Sequence, residues 1–184
     1  MNSGLIVKKS VLTRMASSKW ISGLVLIAAL AACSEAVQKI AAQEPTDDTA
    51  CALDGMILKD YAGPKAQMHY TEGQPDFFCD LTELFGQVLA PEHKRAVAAI
   101  YVQDMGKTEW EHPQGNWIDA KTAIYVVGSK KRGSMGPTFG SFSNAQDAEA
   151  FAQKEGGKVF RFEQITADMV SMNSTAAHDD GMSH

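Results

Sequence analysis

TFGSFSNAQDAEAFAQKEGGKVFRF, residues 138–162, is the stretch from which the fold of this chain can be read. It divides into strand, helix and strand. Ser143 or Asn144 caps the helix, and Gln146 stands at capping-box spacing from Ser143. Ala148, Phe151 and Ala152 share one helical face, and Gly156-Gly157 is a C-terminal stop. Thr138 to Phe142 before the helix and Lys158 to Phe162 after it are short, β-rich apolar runs, and Thr122 to Val127 upstream is a third. The order is ββαβ.

The same order is expected in the first half. Residues 56–61 and 66–70 are strand candidates divided by the turn signal Gly63-Pro64. A helix follows, capped by Asp80 with Glu83 at capping-box spacing. Leu81, Leu84, Phe85, Val88 and Leu89 lie on one face, and Pro91 is the stop. Ala98 to Val102 is the closing strand. Phe77-Phe78-Cys79-Asp80 before the first helix echoes Phe142-Ser143-Asn144 before the second. One such unit has too little core to be stable and two can share one. The reading is an α+β protein with two small ββαβ units, about residues 51–107 and 115–168, in one compact domain.

Outside that domain the chain changes character. Residues 20–33 are an apolar run preceded by Lys8, Lys9, Arg14 and Lys19, and it ends in Leu30-Ala31-Ala32-Cys33. The run is shorter than the ~18 to 20 apolar residues that cross a bilayer, and its ending has the form of a bacterial lipobox. Residues 1–32 therefore read as a lipoprotein signal peptide, with Cys33 as the lipidated first residue of the mature chain. Ser34, not Asp, follows the cysteine, which in Gram-negative lipoproteins implies sorting to the outer membrane, on the periplasmic side. Residues 33–50 lack an apolar period and read as a flexible tether, and residues 169–184 as a mobile tail.

Removing the four basic residues of the leader leaves 13 Lys and Arg against 22 Asp and Glu, a net charge of −9. Such a chain is a poor partner for nucleic acid. No phosphate loop, His-Glu-x-x-His, Gly-x-Ser-x-Gly or Cys-x-x-Cys occurs, and no two of the five histidines stand at tight metal-binding spacing. A binding protein is expected rather than an enzyme.

Two cysteines, Cys51 and Cys79, remain beside Cys33, in a chain with nine methionines. In an oxidising compartment they can pair, giving a structural or thiol-redox lipoprotein. Thiolates and thioethers also select Cu(I). Cys51-Ala-Leu-Asp54-Gly55-Met56 places a thiol and a thioether five residues apart with a glycine between them to permit a turn. Met135, in Gly133-Ser134-Met135-Gly136-Pro137, is a methionine between glycines that can point its sulfur at a ligand.

Several ordered motifs carry a resemblance beyond these sites. Asp54-Gly55-Met56, Gly63-Pro64-Lys65-Ala66-Gln67, Ile100 to Gly106, Trp117-Ile118-Asp119-Ala120, Ala123 to Ser129, Gly133-Ser134-Met135-Gly136 and Gly156-Gly157-Lys158-Val159 resemble the NosL family, the accessory copper lipoproteins of nitrous oxide reductase. The likeness covers about residues 51–168 and the lipobox. It implies a fold related to the organomercurial lyase substrate domain. It also implies a Cu(I) chaperone that helps metallate nitrous oxide reductase in denitrification, with a membrane copper or assembly transporter as a further partner. Many relatives carry a cysteine where this chain has Asp54. A carboxylate is a hard ligand for Cu(I), so the thiolate role is placed on Cys51, with Met56 and Met135 as thioethers and Asp54 as a weak or outer ligand. Cys79 is expected to lie outside the site.

Overall fold

A computed structural model describes residues 40–91 and 95–172. Cys33 and the leader, together with residues 173–184, lie outside the described residues. Among the described residues the strands and the two packed helices run in chain order as β1 Ala66–Tyr70, β2 Asp76–Phe78, α1 Leu81–Val88, β3 Val97–Gln103, β4 Trp117–Asp119, β5 Ile124–Val127, β6 Arg132–Gly133, β7 Gly136–Pro137, β8 Gly140–Phe142, α2 Ala145–Glu155 and β9 Lys158–Arg161. The first sheet has the order β2-β1-β3-β4 and the second β8-β5-β9. In each unit the first strand is central, flanked antiparallel by the strand before the helix and the strand after it. The duplicated ββαβ plan is therefore present, with β4 added to the first sheet and the β6–β7 hairpin inserted between β5 and β8.

Both helices start as their caps dictate. Asp80 accepts from the Thr82 N–H at 2.7 Å, and Asn144 from the Asp147 N–H at 2.9 Å. Asp80 also accepts from Thr138 Oγ1 at 2.7 Å, so the cap of α1 ties the first unit to the second. The expected partner role of Glu83 in a capping box is not realised. Its carboxylate turns toward two sulfurs instead, as described below.

The units share one core. Side chains alternate across each strand, so Ala66 and Met68 of β1 and Ile100 and Val102 of β3 face α1, whose Leu81, Leu84 and Phe85 bury against them. The same helix also meets the second unit, where the Phe85 ring lies 5.0 Å from Tyr125 and 5.1 Å from Phe139. Ile124 and Val126 point the other way, into a smaller cluster with Phe142 and Ala148 beneath α2.

Three expectations are corrected, and one unforeseen strand is added. Residues 56–61 do not form a strand: Ile57 makes one isolated bridge to Ala50, and Leu58–Asp60 is a single 3-10 turn. The second strand of the first unit is instead β2. The tether is not free along its length, because its part from Ile40 onward straps the outer face of the first sheet. Gln43 exchanges two hydrogen bonds with the buried Gln67, at 2.7 and 2.9 Å, and Tyr101 donates to the Ile40 carbonyl. Glu44 accepts from Trp117 Nε1 at 2.7 Å and from the Gly115 N–H at 3.0 Å. The expected mobile tail begins too early as well: residues 167–172 are helical, and Met169 and Val170 pack against the main core. Finally, Trp117–Asp119 is a strand that no periodicity announced.

Candidate metal centre

The strap runs straight into the loop that carries Cys51. The Cys51 N–H donates to the Met56 carbonyl at 2.8 Å and the Gly55 N–H to the Cys51 carbonyl at 3.0 Å. Asp54 Oδ1 accepts from the Met56 N–H at 2.9 Å. Gly55 takes φ +76°, a conformation that other residues adopt at a cost, and this closes the loop tightly enough to bury the Cys51 side chain while Asp54 stays exposed. Cys79 enters from the other side, between the end of β2 and the cap Asp80, and is 0% exposed.

The two sulfurs meet at one carboxylate oxygen. Glu83 Oε2 lies 3.1 Å from Cys51 Sγ and 3.3 Å from Cys79 Sγ. Ser134 Oγ, on the β6–β7 hairpin, lies 2.9 Å from Cys79 Sγ. Donor atoms of Cys51, Asp54, Cys79 and Glu83 all fall within 4.8 Å of one another, and no other group of three or more such residues gathers this way among the described residues. Met56 packs on the wall formed by Cys51, Leu58 and Cys79. Met135 stands on the hairpin beside Ser134 with 48% of its surface exposed.

Of the residues singled out in the sequence, the structure brings Cys51, Asp54 and Met56 together, places Met135 on the adjoining hairpin, and adds Cys79 and Glu83. Both thiols are free, so the disulfide that the sequence left open is not formed. Cys79 and Glu83 were missed because each had a sufficient local explanation, as the start of a helix and as a capping-box acid. The available signal was their four-residue spacing at a helix start, which sets both beside whatever packs there.

Electrostatics single out Cys51 as the acidic thiol. The hydrogen bond from Cys79, aided by N–H groups of Leu53, Cys79 and Asp54 and opposed by burial, draws it down to about 5. Burial first, and then the bond and charge of Cys51, push the Glu83 carboxyl up to about 8. Cys79 is pushed up by the same bond to Cys51 and by burial. Between pH of about 5 and about 8, Cys51 and Glu83 thus hold one proton between them, and it resides on the carboxyl. Accordingly, the ultraviolet thiolate absorbance of the reduced, metal-free protein should rise with a midpoint near 5 and be absent from that range in Cys51→Ser. A first midpoint in the ordinary thiol range of about 8.5 would contradict this assignment.

Lys65 fixes the floor of the site. Its buried Nζ donates to the carbonyls of Tyr61, Ala62, Gly63 and Cys79 at 2.7, 3.1, 2.9 and 3.2 Å, clamping the turn before β1 to the Cys79 backbone. The hairpin that carries Ser134 and Met135 is seated by two contacts. Trp110 Nε1 donates to the Arg132 carbonyl at 2.8 Å, and Gly133 abuts Asp80 so closely that an added Cβ would stand 2.1 Å from Asp80 Oδ2. Gly133→Ala should therefore displace the hairpin and lower stability by about 1–3 kcal/mol, the cost of overpacking. Urea unfolding checks it, and an unchanged midpoint would contradict the contact.

Comparison with known proteins places this site in a family. A sequence model described as NosL matches residues 42–170, and so spans the strap, both thiols and the hairpin. The chain belongs to the NosL family. It is 39% identical over 159 residues to the copper-binding lipoprotein NosL of Stutzerimonas stutzeri, covering 84% of this chain and 82% of that one. With the copper-binding lipoprotein NosL of Achromobacter cycloclastes it shares 41% identity over 151 residues, covering 78% of each. The crystal structure of the copper chaperone NosL from Shewanella denitrificans superimposes with a TM-score of 0.67 at 39% identity, covering 70% of this chain and 97% of that one. The NosL match starts at Ala42, so it includes the strap residues Gln43 and Glu44 that dock on the first sheet.

Proposed function

We propose that this chain is a lipid-anchored periplasmic Cu(I) carrier that supplies copper for the assembly of nitrous oxide reductase. The observation that carries the reading is the convergence of the Cys51 and Cys79 sulfurs on one spot near the surface, one of them acidic. Cu(I) takes thiolate and thioether ligands in preference to oxygen. The proposed ligand set is Cys51 and Cys79, completed by the thioether of Met56 or of Met135. Met135 would engage or leave the ion, because it is 48% exposed. Glu83 acts on the sulfurs and their protons, and Asp54 holds the loop through the Met56 N–H. Copper here is cargo, and a site with few ligands beneath an exposed loop suits its transfer by ligand exchange. The copper-binding lipoproteins and the copper chaperone to which the chain is similar support the same reading.

The lipobox supports anchoring through acylated Cys33, and Ser34 after it supports the outer membrane. With the strap docked from Ile40, the seven residue steps back to Cys33 span at most about 25 Å. The carrier would therefore work close to the membrane, within reach of a membrane copper or assembly transporter as well as of the reductase.

Competition against a Cu(I) chelator and, separately, against Zn(II) tests the proposal. One Cu(I) per chain, retained against equimolar Zn(II), is expected under reducing conditions, whereas equal retention of zinc would favour a structural Cys and carboxylate site. Metallation in cells tests the destination. Reductase from copper-starved cells lacking this protein should be copper-deficient, and full copper content there would remove nitrous oxide reductase as the recipient.

A further inference from the structure

The same two sulfurs can bond to each other. We propose that Cys51 and Cys79 form a reversible thiol–disulfide couple, and that oxidation of this couple and loading with Cu(I) exclude one another. The exclusion rests on the copper reading above; the couple does not.

Three observations carry it. The sulfurs lie within 4.8 Å of each other, both against Glu83 Oε2, so bond formation needs only a local approach. Access to the two sulfurs is one-sided. Cys79 is 0% exposed and lies beneath the Asp80 cap, with Lys65 on its carbonyl, whereas Cys51 sits on a short loop whose Leu53 and Asp54 are exposed. Cys51 is therefore the sulfur that an oxidant reaches first. Third, the only other cysteine is Cys33, at the lipobox, so a mature chain acylated there has a single possible intramolecular pair.

The oxidant is a disulfide, small or borne by a protein, as found in an oxidising compartment. The Cys51 sulfur attacks one sulfur of that disulfide, forming a mixed disulfide and releasing a thiolate. The Cys79 sulfur then attacks the Cys51 sulfur, its proton passes to the released thiolate, and the second half of the oxidant leaves with the proton that Cys51 gave up, so that both halves depart as thiols. Two protein thiols have been oxidised to one disulfide and the oxidant's disulfide reduced to two thiols. The copper ion takes no part in the electron count. It is released as Cu(I), because sulfur in a disulfide offers no thiolate. Conversely, Cu(I) held between the sulfurs blocks the attack.

The test uses the reduced protein, oxidised glutathione as probe, alkylation of remaining thiols and intact mass. Metal-free protein should lose two hydrogen atoms and become resistant to alkylation at both cysteines, with no glutathione retained. Cys79→Ser should instead accumulate glutathione on Cys51, a readout that packing defects do not produce. Cu(I)-loaded protein should oxidise at least about 10-fold more slowly, and oxidised protein should recover Cu(I) binding only after reduction. Glutathione retained on wild-type Cys51, with no internal bond, would overturn the couple. Equal Cu(I) binding by the oxidised and reduced forms would overturn the exclusion. A reduced protein that binds no Cu(I) would overturn the copper reading and the exclusion together, while the mass readout still decides the couple.

Discussion

Cys79→Ser is expected to weaken Cu(I) binding at least about 100-fold, a loss larger than outer contacts of a metal site usually cause. The reason is geometric. Cys79 Sγ shares a carboxylate oxygen with Cys51 Sγ, and neither sulfur has a nearer soft neighbour that could replace it except a thioether. Serine at this position keeps a hydrogen bond to Ser134 or Glu83 but offers a hard oxygen to a soft ion. The sequence alone predicted unequal roles, with Cys51 essential and Cys79 dispensable. In the folded protein Cys51→Ser and Cys79→Ser should be nearly equivalent, and the double variant scarcely worse than either. Chelator competition under reducing conditions reads all three, with circular dichroism to show that each is folded. Undiminished affinity in Cys79→Ser would restore the single-thiol site.

Phe85→Ala is the substitution expected to cost most in stability, about 3–5 kcal/mol. Its ring is fully buried at the junction of the units, in contact with Tyr125 and Phe139 and with the Phe162 ring at 5.7 Å. Removing it opens a cavity where α1 touches the second sheet, and partial collapse would pull α1 away from one of its two partners. The β1–β3 sheet and the β5–β9 sheet should still unfold together, because Asp80 and Thr138 couple them from the other end of the helix. Urea denaturation followed by Trp fluorescence measures the loss. A change below about 1 kcal/mol would mean that the units do not depend on this shared core.

The duplicated architecture was legible because its signals are local and redundant. Asn144 and Asp80 act as caps where the sequence places them, and Phe78-Cys79-Asp80 and Phe142-Ser143-Asn144 occupy the same strand-to-helix step in the two units. Residues 56–61 misled because an apolar run does not disclose its own backbone. The closed Cys51–Met56 loop delivers Ile57 to a single bridge, and the chain then turns through Leu58–Asp60. Asp76–Phe78, at three residues, is too short to show any alternation. The strap failed for a different reason: polar composition reads as tether, and its order comes from tertiary partners, Gln67, Tyr101 and Trp117, that no local pattern reveals.

The site was legible by half. Cys51, Asp54 and Met56 are close in sequence and close in space, so their chemistry could be inferred from spacing. Cys79 and Glu83 reach Cys51 across 28 and 32 residues of chain, and the fold alone joins them. Glu83 is the instructive case. A residue that fits a capping box is assigned to it from sequence, yet the acid is worth more beside two thiols, where burial and Cys51 hold it protonated near neutrality.

The central claim, that two cysteine sulfurs hold one Cu(I), is tested most directly by X-ray absorption at the copper edge on the loaded protein and on loaded Cys79→Ser, compared at equal copper content. A sulfur-dominated shell is expected in the first and the loss of one sulfur scatterer in the second. An identical sulfur shell in the two proteins, or a shell dominated by oxygen and nitrogen in the wild type, would contradict it.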